Sequence, residues 1–210
     1  MPDDASPSES ARGAPVVGAT DTRATPAGGG PRFAAAPPSS ILLPGAPPGR
    51  LRPLEPDDWR LEVALSRTPD VPRWTYYPPG LPDDAARLRV ARSLERARDG
   101  LAYRYVVVGE EGEPLGSVGT TIPAGVPEVF YALLPAGRGQ GLATRAVVAL
   151  ADWALAAGHA EVHLFTLEGN AASEAVARRA GFVARETTTT TARGGALETM
   201  TRWVRTADRG

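Results

Sequence analysis

Between Leu133 and Ala146 the chain reads Leu-Leu-Pro-Ala-Gly-Arg-Gly-Gln-Gly-Leu-Ala-Thr-Arg-Ala, with Gly137, Gly139 and Gly141 alternating and Arg138 between the first two. An apolar, β-branched and aromatic run, Val129 to Leu134, precedes it, and a long helical pattern follows. Strand, glycine turn and helix start together offer bare backbone N–H groups to an anion. Glycine lets the backbone approach closely, and the helix N-terminus adds partial positive charge. The stretch therefore reads as a phosphate or pyrophosphate cradle, the plain alternative being a turn that only joins strand to helix. A nucleotide triphosphatase loop needs Lys-Ser/Thr after its last glycine, whereas Leu142 and Ala143 follow Gly141. A dinucleotide fingerprint, G-x-G-x-x-G, fails from either start, because the third glycine would fall at Leu142 or Thr144.

The flanks narrow the reading. Leu142, Ala146, Leu150, Trp153 and Ala157 recur at helical spacing up to Gly158, a C-cap residue. Glu161 to Leu167 reads as a strand, and Asn170-Ala-Ala-Ser173 opens a short helix that ends at Gly181-Phe182. Arg138-Gly139-Gln140-Gly141-Leu142-Ala143 resembles motif A of the GNAT superfamily of N-acetyltransferases, Arg/Gln-x-x-Gly-x-Gly/Ala. Asn170-x-x-Ser173 with Gly181-Phe182 resembles that family's second signature. The opening Leu51-Arg52-Pro53-Leu54, before an acidic helix start, is similar to the branch that acetylates ribosomal-protein N-termini, the RimJ/RimL type.

The resemblance implies transfer of the acetyl group of acetyl-coenzyme A to a primary amine, either a protein N-terminus or a small molecule. In it the backbone from Arg138 through Gly139, Gln140, Gly141, Leu142 and Ala143, with Thr144, binds the pyrophosphate, and the Arg138 side chain either neutralises a phosphate or is a solvated cation. Leu133 and Leu134 give backbone groups to the pantetheine arm, and an amide of that strand meets the oxyanion. Glu128, at the start of the strand, takes the place of the general base, the alternative being an exposed strand-end carboxylate. The tyrosine that many members carry seven residues after the asparagine is Ala177 here, so the usual general acid is missing. Ser173 takes that role or only bonds locally to the backbone, and Tyr131 is a further candidate. Asn170 caps its helix and by resemblance also contacts the cofactor. The missing tyrosine supports a rival reading, a coenzyme-A-binding module without catalysis.

The elements that must position these residues follow from pattern. Residues 1–48 are dominated by Pro, Gly, Ala, Ser and Thr, with Phe33 the one aromatic, and are expected to be disordered; Ile41-Leu42-Leu43 is the exception, able to dock on the domain. The folded domain is expected over 49–206. Leu51 to Leu54 reads as an edge strand because Pro53 cannot donate to a ladder. Asp57 or Asp58 caps a helix carrying Trp59, Leu61, Val63 and Leu65. Residues 69–82 read as a loop, in which Trp74, Tyr76 and Tyr77 wall a substrate pocket or belong to the core. Asp83 or Asp84 caps a helix to about Arg98, with Ala85, Leu88, Ala91, Leu94 and Ala97 along one face. Strands follow at 103–108, 115–122 and 128–134, and Thr187 to Gly195 reads as a hairpin bearing on specificity, turning at Arg193-Gly194-Gly195. The order β, α, α, β, β, β, α, β, α, β, β is an α/β (α+β) arrangement, a GNAT fold with a mixed, mostly antiparallel sheet of about seven strands and about four flanking helices.

Composition bounds the rest. The 210 residues suit one domain and a tail. There is no cysteine, so no disulfide or thiolate chemistry, and His159 and His163 read as ordinary turn and strand residues, with no metal expected. A net charge of −1 gives no footing for nucleic acid or an anionic membrane. Neither a signal peptide nor a membrane span is evident, and a cytoplasmic monomer or homodimer is expected. The site region is not evidently acidic, which disfavours a polycationic acceptor.

Overall fold

Side-chain alternation along the strands assigns each helix to a face. The computed structural model describes residues 30–191 and 197–207. Its strands are β1 (Ile41–Leu43), β2 (Gly49–Pro53), β3 (Ala102–Val108), β4 (Pro114–Thr121), β5 (Glu128–Leu133), β6 (Glu161–Leu167), β7 (Val183–Thr191) and β8 (Leu197–Thr206). The α-helices are α1 (Trp59–Arg67), α2 (Asp70–Trp74), α3 (Asp83–Arg98), α4 (Leu142–Ala156) and α5 (Ala171–Arg179). Tyr105 and Val107 of β3 pack with Leu142, Ala146, Leu150 and Ala154 of α4 and with Ala177 of α5. Val106 and Val108 face the other way, into Leu54, Trp59, Leu65 and Val90 of the α1/α3 layer. The chain is thus a sheet between two helical layers.

One sheet runs β1-β2-β3-β4-β5-β6-β8-β7. Every neighbouring pair is antiparallel except β5 and β6, whose register holds the single pair Glu128↔His163. β6 pairs along its whole length with β8, from Glu161↔Thr206 to Leu167↔Met200. The expected mixed, mostly antiparallel GNAT sheet is therefore present, with eight strands and five α-helices among the described residues.

Both additions correct the sequence reading. Ile41–Leu43 pairs with Gly49–Leu51, so β2 is not the edge strand expected there; Pro53 is its last residue, where a missing donor costs no ladder bond inside the strand. Ile41–Leu43, expected to be able to dock on the domain, thus joins its sheet. Phe33 is buried between Tyr103 and Trp153, with ring centroids 5.5 and 5.1 Å apart, and its N–H donates to Gly100 O at 2.9 Å. The expected loop at 69–82 contains α2, in which Pro72 sits early enough to need no helical donor. The Arg193-Gly194-Gly195 turn lies outside the described residues.

The expected inner face of α3 is also corrected: Ala86, Arg89 and Val90 are buried and Leu88 is 51% exposed. The helix is rotated because its Arg89 enters an ion cluster. Glu62 of α1 is fully buried and accepts from Arg89 Nε at 2.7 Å, Arg104 Nη2 at 2.6 Å and Tyr77 Oη at 2.9 Å. Arg104, on β3, also donates to Tyr77 Oη at 2.7 Å and to Ser117 Oγ on β4 at 3.2 Å. Burial alone would push the Glu62 carboxyl up, but Arg104 and Arg89 beside it outweigh that and hold it below its ordinary value. Burial pushes the Tyr77 hydroxyl up to about 12. The cluster locks α1, α3, β3 and the end of the aromatic loop together.

Removing one partner of such a cluster leaves buried charge without compensation. Glu62→Gln is expected to cost about 3–5 kcal/mol, read by urea unfolding. A lowered folded-state pKa means the stabilisation is complete above the ordinary carboxyl pKa and is lost as pH falls through the folded value. The gap between wild type and Glu62→Gln should hold from pH 7 to 5 and narrow below about pH 4; a gap that widens there would remove the assignment.

Candidate active site

The site grows from the place where β5 and β6 part. Their one bridge is closed by the His163 N–H on Pro127 O at 2.8 Å. Leu134 N–H donates to Leu115 O at 2.9 Å, beyond the end of the β4–β5 ladder. Backbone groups alternate sides along an antiparallel strand. The even residues of β5 therefore bond to β4, and the N–H groups of Tyr131 and Leu133 face the gap toward β6. Leu134, expected to offer its backbone to a ligand, has its amide engaged by Leu115; Leu133 is the residue of the two whose amide faces the gap.

At the end of β5 the chain makes a 3-10 turn over Pro135–Gly137 and reaches α4 through Gly139 and Gly141, with φ of 76° and 71°. Only glycine takes this left-handed backbone without strain. An added Cβ at either glycine would meet nothing within 4 Å, so the space above both is open. Gly141 is the N-cap of α4 and brings no side chain to it, leaving the first-turn amides of Leu142, Ala143 and Thr144 without intrahelical carbonyls. Thr144 Oγ1 is buried with no hydrogen-bond partner among the described residues. Open backbone, a helix start and an orphaned hydroxyl fit a pyrophosphate.

Other loop residues are placed differently from expectation. The Arg138 amide closes the 3-10 turn on Pro135 O at 3.1 Å, and its guanidinium binds the Leu133 carbonyl and Asp70. Gln140 donates from Nε2 to Ala136 O at 2.8 Å, and the Leu142 side chain is in the core. The donors presented by the loop therefore begin at Gly139. Arg145, which the sequence did not single out, anchors the loop: it donates to Leu43 O, Pro47 O and Gln140 O at 3.1, 2.8 and 3.1 Å.

Beside the gap lies a cavity of about 420 Å³ whose lining includes Trp74, Tyr76, Glu128, Tyr131, Phe165 and Ser173. Glu128 is buried at the apex where the strands meet. Tyr131 and Ser173 hydroxyls are 2.9 Å apart. Burial raises the Tyr131 hydroxyl above its ordinary value, although Ser173 and Arg179 pull it back in part, so it keeps its proton at neutral pH. The Asn170 side chain accepts the Ser173 N–H at 3.1 Å, which is the expected helix cap. The Phe182 N–H returns to Ala177 O at 3.0 Å with Phe182 buried, the expected closure after α5. Tyr77 lines the cavity, but its hydroxyl belongs to the ion cluster behind the wall. Tyr76 reaches Met200 Sδ at 3.8 Å. Burial, then the Glu198 and Glu128 carboxylates, raises the Tyr76 hydroxyl. The site is more acidic than the sequence suggested, because β8 brings Glu198 to the same cavity as Glu128.

Comparison with known proteins gives the family and the fold. The family model described as "Acetyltransferase (GNAT) domain" matches residues 50–183. No curated protein matches the sequence. Among solved structures, the RimL ribosomal L7/L12 alpha-N-protein acetyltransferase in complex with coenzyme A is 18% identical, with a TM-score of 0.67 over 81% of this chain and 100% of that one. Spermidine N-acetyltransferase from Vibrio cholerae, with coenzyme A and spermine, is 17% identical, with a TM-score of 0.66 over 77% and 96%. The microcin C7 self-immunity acetyltransferase MccE, with acetyl-CoA and AMP, is 14% identical, with a TM-score of 0.68 over 75% and 92%. Among the described residues no helix is long and apolar enough to cross a membrane.

Gly141→Ala tests the cradle. Left-handed backbone costs a residue with Cβ about 1–2 kcal/mol, so the variant should fold with a modestly lower urea midpoint. Its methyl enters the open space above the loop, and coenzyme A binding by calorimetry should weaken by about tenfold or more. Unchanged affinity would show that no ligand backbone comes close there.

Proposed function

The chain belongs to the GNAT acetyltransferases, and on that footing we propose that it acetylates a primary amine entering the cavity beside Glu128, with the donor along the β5 side of the gap. The observation that carries this is that three features are strung along one strand, β5, from the cavity at Glu128 to the loop that follows Leu133. They are the gap-facing amides of β5, the open first turn of α4 and a cavity with a buried carboxylate. Acetyl-coenzyme A, when bound, supplies an acyl group activated as a thioester.

Each residue then has a task. The amides of Gly139 to Ala143, with Thr144 Oγ1, hold the pyrophosphate. The Leu133 and Tyr131 N–H groups face the gap and stabilise negative charge as it develops on the acyl oxygen, which is where fixed donors contribute most. An α-amino group has a pKa of about 7.7–8.0 and is largely protonated at neutral pH. Glu128 takes that proton, directly or through a water, and leaves the nucleophile neutral. The departing thiolate is protonated by the hydroxyl pair, Ser173 on α5 and Tyr131 on β5. Ala177 therefore does not leave the site without a proton donor, because the role passes to residues that meet across the gap.

The acceptor is a peptide N-terminus or a small amine. The aromatic wall and the two carboxylates, Glu128 and Glu198, favour a cationic group in either case. A screen of ribosomal-protein N-terminal peptides and polyamines with acetyl-coenzyme A, read by released thiol, tests this; turnover with neither class would remove the amine reading.

Glu128→Gln should lower kcat/KM by about 10²-fold at pH 7. The deficit should shrink above about pH 8, where the amine is neutral without help, and the coenzyme A Kd should stay within about threefold, since the role is not in donor binding. A pH-independent deficit would remove Glu128 as the base. Ser173→Ala and Tyr131→Phe should each lower kcat about tenfold or more, and the double variant should be no worse than the weaker single, as expected for groups acting as a unit. Additive losses would mean that the two hydroxyls act separately.

A further inference from the structure

Arg138 ties together parts of the site that are distant in sequence. Its Nε and Nη2 donate to the Leu133 carbonyl at 3.1 and 2.9 Å. Its Nη1 lies 2.8 Å from Asp70 Oδ2, and its Nη2 donates to Asp70 Oδ1 at 3.1 Å. Leu133 ends the donor strand, and Arg138 opens the glycine loop. Asp70 is the first residue of α2, whose Pro72, Arg73 and Trp74 line the acceptor cavity. The fork geometry is the one in which a guanidinium is rigid and directional.

Resting on the reading that the glycine loop holds coenzyme A, we propose that the Arg138–Asp70 pair couples the two substrate sites, so that donor binding orders the acceptor wall. Arg138 is then a positioning residue rather than an anion ligand.

The surroundings support this. Arg138 and Asp70 are 38% and 45% exposed, so the pair adds little to overall stability and its effect falls on local geometry. A five-residue helix cannot hold itself. α2 attaches to the body through the buried Val71, whose N–H donates to Thr68 O at 3.0 Å, through Trp74, which lies against Gly169, and through the fork from Arg138. Trp74, the last residue of α2, reaches toward Gly169 at the turn before α5, and beyond α2 the wall continues through Tyr76 to Met200. Order imposed at Asp70 therefore reaches the cavity along one short segment. The loop that carries Arg138 includes two glycines at positive φ, a backbone with more freedom to lose when a ligand settles on it. A ligand that narrows the loop's conformations narrows those of whatever the guanidinium grips. By linkage an acceptor in the cavity strengthens donor binding by the same factor.

The test uses the full chain with coenzyme A as the probe. It reads hydrogen exchange of residues 70–77 and affinity by calorimetry in wild type, Asp70→Asn, Arg138→Gln and the double variant. In wild type, coenzyme A should slow exchange of that segment by about tenfold. In all three variants the slowing should fall below about twofold while the Kd stays within about fivefold of wild type, the double matching either single. Slowing that persists in Asp70→Asn overturns the proposal. So does a loss of coenzyme A affinity of about 10²-fold in Arg138→Gln alone, because that is the signature of a phosphate ligand. Failure of the wild type to bind coenzyme A would instead sink the cradle reading itself, and the coupling with it.

Discussion

The ladder between β5 and β6 holds the single bridge Glu128↔His163, and the rest of the site depends on what happens beyond it. Parallel strands that stayed together would close their ladder and leave no backbone to offer. Here β6 is committed along its whole length to β8, while β5 stays with β4 as far as Leu133. The two pairs separate from a common point, and the wedge between them exposes the gap-facing amides of Tyr131 and Leu133. Backbone donors need partners, and a wedge lined with them is a place for an extended polar ligand. The same contact puts the Glu128 carboxylate at the apex, where the wedge is narrowest.

The wedge needs a rigid frame. On one face α4 supplies it, with Ala146, Leu150 and Ala154 fully buried against the sheet. On the other face the Glu62 cluster joins α1, α3, β3 and the aromatic loop through charge-assisted hydrogen bonds in a dry setting. That cluster fixes where Tyr77 ends, and so where the loop bearing Trp74 and Tyr76 begins to cross the cavity. The cavity wall is thus hung from a structural core on one side and from the glycine loop, through Arg138, on the other.

Ala177 stands where many members of the family carry a tyrosine. It lies on the buried face of α5, in one core cluster with Val176, Ala180 and Phe182. Two hydroxyls meet nearby from other elements, Tyr131 on β5 and Ser173 on α5, 2.9 Å apart. Proton donation depends on where the oxygen lies and on its pKa, and both can be met from a different backbone element.

The glycine loop, β5, α4, β6 and α5 were legible in the sequence because their signals are local. Turn residues, helical spacing and caps act within a few positions, and Gly141, Gly158, Asn170 and Gly181 punctuate the chain where the structure does. Three things were not legible. A three-residue apolar strand such as Ile41–Leu43 exists only because β2 is beside it. Arg89 is buried, against its polarity, because Glu62 is 27 positions away in the chain and 2.7 Å away in space. Arg138 meets Asp70 and Leu133 rather than solvent, and Glu198 joins Glu128, only once the chain has folded. Sequence alone determined most of the elements and the glycine loop, since these follow from backbone preferences. Tertiary structure decided which charges are paired and which side chains share the cavity, since electrostatic partners act through distance in space and the chain carries no local mark of it.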